Sequence, residues 1–165
     1  MILLLVCLLA GGPAALQDTF TAKELAEYRL AAPVFRQFVH ASGLIVAAMS
    51  DDPRLGADPL FTRDVAVLDD AVAAAAALEA RLKLEPRYVS ALRIAGLNPR
   101  EYTRFALALF GARLAHGFVQ AGLLRGVPAG APADNVAFVA ANEAEIADVL
   151  KALGLEGGYV PQNVW

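Results

Sequence analysis

Leu25, Tyr28, Ala32, Phe35, Val39, Ser42, Val46 and Met49 follow one another three or four positions apart, and Phe38 and Ile45 widen the stripe they make. An α-helix turns once in 3.6 residues, so this spacing lines up one face. A helix with one apolar face has to bury it against other elements. No comparable stretch alternates as a strand does. The nearest candidate, Gly158 to Trp165, is short and interrupted by Pro161.

Start and stop signals divide the rest of the chain into further helices. Thr21-Ala-Lys-Glu24 is a capping box, in which the threonine hydroxyl accepts from an amide three residues on. Pro33 lies within the first stripe, so it either kinks one helix or marks two helices meeting near Ala32. Asp51-Asp52-Pro53, Gly56 and Asp58-Pro59 read as a surface connection. Val65, Leu68, Val72, Ala75, Leu78 and Leu82 then recur at helical spacing across 60–84, and Ala73 to Ala77 has the highest helix propensity available.

A short helix opens at Pro86 and stops at Gly96. Asn98-Pro99-Arg100-Glu101 offers an N-cap, a proline at the first helical position and an acid in the first turn, opening a helix that runs to about 124. Gly126, Pro128 and Gly130 break the chain before a last helix over 134–153, with Val136, Val139, Ile146, Leu150 and Leu153 inward and Gly154 as its stop. The expectation is an all-α bundle of about four main helices plus one short one.

With 165 residues, 58% of them hydrophobic, the chain has the material for one well-buried core. The 14 Lys and Arg against 17 Asp and Glu leave a net charge of −3 with no concentrated basic face, which argues against nucleic acid as a partner. Arg81 to Arg125 is nevertheless basic, and the chain beyond Gly126 is acidic. The two segments are expected to pack side by side with complementary fields.

Ile2 to Ala10 is an unbroken apolar run followed by Gly11-Gly12-Pro13-Ala14-Ala15, the order of a secretory leader: apolar segment, helix breaker, small-residue cleavage zone. The run is too short to span a bilayer. Residues 1–17 are therefore expected to be a cleavable signal ending between Ala14 and Gln17, although no Lys or Arg precedes the run; an uncleaved amphiphilic anchor is the alternative. The lone Cys7 lies inside the run, and Leu4-Leu5-Val6 before it lacks the small residues of a lipidation site. Residues 18–165 would then form one helical domain with an irregular tail over 158–165. It would be exported to the periplasm or the exterior, with no membrane span and no disulfide to staple it.

Within 99–124 the polar residues occupy two opposed faces. Arg100, Glu101 and Arg104 share one, and Arg113, His116 and Gln120 share the other, so one group must face protein. An inward Arg113 would need a carboxylate, with Glu79, Asp69 and Asp70 as candidates. Arg113, His116, Gln120 and the separate His40 are the candidate ligand-binding residues. They would tie helices together or receive the acidic end of an apolar ligand.

No catalytic residue and no metal ligand set is predicted, and no cofactor. Neither histidine lies in H-E-x-x-H, no serine sits in G-x-S-x-G, no C-x-x-C-H attaches haem, and no glycine-rich loop cradles phosphate. The function expected is that of a non-enzymatic exported bundle acting by contact, as an envelope-associated interaction or structural protein whose partner is an unknown protein. The alternative is a carrier holding a lipid, pigment or non-covalent haem in the bundle interior, and fold alone does not choose between them.

Overall fold

The computed structural model describes residues 19–57, 71–128 and 131–155. The expected leader over 1–17, the expected start of the second helix over 60–70 and the expected irregular tail over 158–165 lie outside the described residues. Among the described residues there are eight helices and no strand, so the all-α class holds. They are α1 (Ala22–Glu27), α2 (Ala32–Asp51), α3 (Pro53–Ala57), α4 (Ala71–Leu84), α5 (Pro86–Ile94), α6 (Pro99–Gln120), α7 (Ala133–Ala141) and α8 (Glu143–Ala152).

The first stripe is two helices rather than one kinked helix. Thr21 caps α1 by accepting from the Glu24 amide at 3.1 Å. Extended backbone at Tyr28 and Ala31 separates α1 from α2, and Pro33 occupies the first turn of α2, where its missing N–H costs no hydrogen bond. The buried face of α2 is Phe35, Phe38, Ala41, Ser42 and Ile45, centred one position away from the stripe's nominal line.

The last helix is also two. Asn142 leaves the helical region and its side-chain amide donates to the Phe138 carbonyl at 2.7 Å, an i−4 bond that competes with the backbone ladder. At Gly96 the stop is as expected: φ is +80°, the Leu97 amide donates to Leu92 and the Gly96 amide to Arg93, the paired bonds of a Schellman motif.

α2 and α6 cross at a cluster of aromatic rings. Phe38 stacks on Tyr102 at 4.7 Å and tilts against Phe105 at 5.0 Å, while Phe35 stacks on Phe105 and meets Phe138 edge-on. Such pairs contribute about 0.5–1.5 kcal/mol each beyond the area they bury. α5 and α8 pack on α2, α4 and α7 pack on α6, and α1 lies across α4 and α6. Leu78, Leu82, Leu92, Leu109, Ile146 and Leu150 complete a fully buried core.

Among the described residues only α2 is long and apolar enough to cross a membrane, by length and composition. Its face carrying Phe35, Phe38 and Ile45 lies against protein in this fold.

Polar side chains fix two of these junctions. Ser42 and Tyr102 hydroxyls are 3.0 Å apart between α2 and α6. Asn135, at the start of α7, accepts from the Leu30 amide and donates to the Tyr28 carbonyl, both at 2.9 Å, so one side chain completes the backbone of the α1–α2 joint.

The expected field complementarity takes a different form. α7 does pack against α6, but Asp134, Glu143, Glu145 and Asp148 are all exposed. The basic residues at the start of α6 pair instead with α1.

Candidate functional site

The opposed polar faces of α6 resolve in favour of its first two turns. Arg100 grips Glu24 of α1 through two bonds, Nε to Oε1 at 3.2 Å and Nη2 to Oε2 at 2.8 Å, a fork that only a guanidinium can make. Arg104 comes within 3.4 Å of the same carboxylate and 3.3 Å of Glu101. Glu101 in turn accepts from the Tyr28 hydroxyl at 2.7 Å. Arg100 also lies over the Phe20 ring at 4.3 Å, and Arg104 over the Tyr28 ring at 5.0 Å, both cation–π contacts.

The cluster's electrostatics are those of a clamp. Hydrogen bonds from Arg100, and then its charge and that of Arg104, hold the Glu24 carboxyl below the usual range despite partial burial. Burial, then the hydrogen bond to Glu101, pushes the Tyr28 phenol well above its ordinary value. Both groups keep the protonation state that suits their partners. The cluster therefore holds α1 on α6.

The face predicted to bind lies about four turns further along α6. Arg113 and His116 are half-buried and Gln120 is exposed. Gln120 Nε2 and His116 Nε2 are 2.9 Å apart. An amide nitrogen has no lone pair to offer, so Gln120 donates and the neutral ring carries its proton on Nδ1. The face thus presents donors, an imidazole N–H and a guanidinium, which suit a carboxylate or phosphate.

Glu79 does not serve Arg113: it is buried on α4 and pairs with Lys83 at 2.8 Å. Asp69 and Asp70 lie outside the described residues. His40 does not join the group. It is exposed on α2, and the α2–α6 crossing is at Tyr102, roughly 20 Å of helix rise from His116.

A second ion cluster fastens the end of α2. Asp52 takes Arg54 through Nε at 3.1 Å and Nη2 at 2.7 Å, with Arg87 of α5 at 3.5 Å. The side-chain bonds from Arg54 hold its carboxyl down at about 2. Among the described residues no group of three or more His, Cys, Asp or Glu could hold a metal ion.

Sequence reasoning missed the Glu24–Arg100 grip and the Asn135 bridge. Glu24 belongs to the capping box at the start of α1, and its second role depends on a residue 76 positions away. The placement of Arg100 and Arg113 on opposite faces of α6 signals that one of them meets protein, but does not say which. Comparison with protein-family models, with curated proteins and with solved structures finds no match.

Proposed function

We propose that this chain is an exported, non-enzymatic helical protein that acts by contact, as an envelope-associated interaction or structural protein. The observation that carries the reading is that, among the described residues, the exposed large apolar side chains fall in two stretches: Leu84, Val89 and Ile94 from the end of α4 along α5, and Leu114, Leu123 and Val127 along and beyond the last turns of α6. Single exposed apolar residues are ordinary, whereas grouped ones with polar neighbours mark surfaces that meet something. The export half of the reading rests on the Ile2 to Ala10 run and the small residues after it.

The test is made in the host. Full-length chain should be recovered outside the cytosol, with an N-terminus between Ala14 and Gln17 by intact mass, and in part with envelope material. Leu84→Ser/Ile94→Ser and Leu114→Ser/Leu123→Ser variants should lose that association while keeping a helical circular dichroism spectrum. Unprocessed cytosolic protein, or variants that fractionate as the parent does, would overturn the proposal. A ligand carried between α2 and α6 would have to part Phe38 from Tyr102; a co-purifying lipid, pigment or haem in native mass spectra would favour that alternative instead.

A further inference from the structure

We infer that the outer face of α5, with the α4–α5 corner, docks on a bilayer surface containing anionic lipid. The inference rests on the contact reading above and names its partner. α5 buries Tyr88, Ala91 and Leu92, and at 100° per residue this leaves Arg87, Val89, Arg93 and Ile94 on the arc that faces out. Leu84, at the end of α4, is 81% exposed, Ile94 62% and Val89 39%. These are large apolar side chains that the fold leaves partly or mostly in water.

Cations ring them. Arg54 and Arg87 share the Asp52 carboxylate and so lie side by side, Lys83 precedes Leu84, and Arg93 precedes Ile94. The counter-charges sit beneath. The side chains of Asp52 and Glu79 are 11% and 12% exposed, whereas those of Arg54, Lys83 and Arg87 are 89%, 61% and 51% exposed. The half-buried Glu85, which caps α5 beside Arg87, is the third carboxylate here, so Arg54, Lys83, Arg87 and Arg93 leave the face a small positive excess carried on its outermost side chains.

That arrangement complements an anionic bilayer more closely than a protein groove. Large apolar side chains along an exposed helix face can enter the headgroup boundary, and long Lys and Arg stems extend alongside them to reach phosphates. Each such cation strengthens attachment to an anionic surface about fivefold, and the attraction is screened by salt.

The experiment uses the full chain and vesicles of phosphatidylcholine, with or without about a third of phosphatidylglycerol. Parent protein should sediment with the anionic vesicles, not with the neutral ones, and be released by high salt. Arg93→Gln should weaken binding about fivefold and flatten its salt dependence. Ile94→Ser should weaken it about tenfold even at low salt. Both positions are exposed, so folding is preserved, and parent and variants share residues 1–17, so any contribution of the leader cancels.

Equal binding to both vesicle types, or α5 variants that bind as the parent does, would overturn the inference. Loss of envelope association in cells by an α5 variant, without vesicle binding by the parent, would replace lipid with a protein partner and leave the contact reading standing. Absence of envelope association by the parent would remove that reading itself.

Discussion

Replacing Asn135 by alanine tests whether one buried amide holds the α1–α2 joint. Asn135 is 1% exposed and is the partner of both the Leu30 N–H and the Tyr28 C=O. Its loss leaves two backbone groups without that partner, and a buried unpaired group costs about 1–3 kcal/mol. Tyr28 is buried and Leu30 half-buried, so the carbonyl falls in the middle of that range and the amide, which water can reach, at its lower end. The expected loss is about 3 kcal/mol, or about 9 °C in Tm for a domain of this size.

Urea and thermal unfolding followed by circular dichroism would measure it. Asn135→Asp keeps the acceptor for Leu30, loses the donor to Tyr28 and buries a charge, so it should be worse than alanine at neutral pH. Burial raises such a carboxyl's pKa in the folded state, so this variant should regain stability as pH falls, when the protonated acid can donate to Tyr28 again. A loss below about 1 kcal/mol for Asn135→Ala would refute the assignment of the joint to this side chain.

Gly96→Ala should cost about 1–2 kcal/mol, because φ there is +80° and an added Cβ would lie 2.9 Å from Gln37 Nε2; chemical denaturation reads this directly. Glu24→Gln should cost about 1–2 kcal/mol, between the values for surface and buried pairs. Since the folded-state carboxyl titrates below its ordinary 4.5, its contribution is complete above that value and is lost as pH falls further, so the variant should flatten the acid limb of a stability–pH curve. Burial raises the Tyr102 phenol above its ordinary 10, so its contribution is complete below pH 10 and is lost as pH rises beyond; base-induced unfolding monitored by tyrosinate absorbance should shift to higher pH in Tyr102→Phe. His116→Ala should change stability by less than about 0.5 kcal/mol, as expected for a solvent-facing i, i+4 pair, and a larger loss in thermal melts would show that the ring is structural.

Helix boundaries set by short-range chemistry were readable from the chain alone. Thr21, Asn98 and Gly96 act within four residues of themselves, and the Asn98 side chain does accept from Glu101 at 2.9 Å. Boundaries decided by competition were harder to read. Asn142 sits in a periodic apolar pattern, and whether its amide faces solvent or folds back on Phe138 depends on α7 being held against α6 and α8 against α2. The split at Pro33 has the same origin: its position fits a kink or a first turn equally well, until Asn135 supplies hydrogen bonds to Tyr28 and Leu30 in place of those a continuous helix would make.

The candidate site shows the limit most directly. A helical wheel establishes that Arg100 and Arg113 oppose each other, but which side meets protein is a property of the neighbour. Glu24 offers a carboxylate at the right height only because α1 turns back across the start of α6. Once Arg100 and Arg104 are matched there, the far end of the helix is free of the need to pair, and its polar and apolar residues can remain at the surface. The same division holds at α5, where Asp52 and Glu79 sit low and their cations reach out. In both places a buried or partly buried carboxylate fixes the fold; at α5 the cations it holds reach outward, and they and the exposed apolar side chains are left to meet a partner.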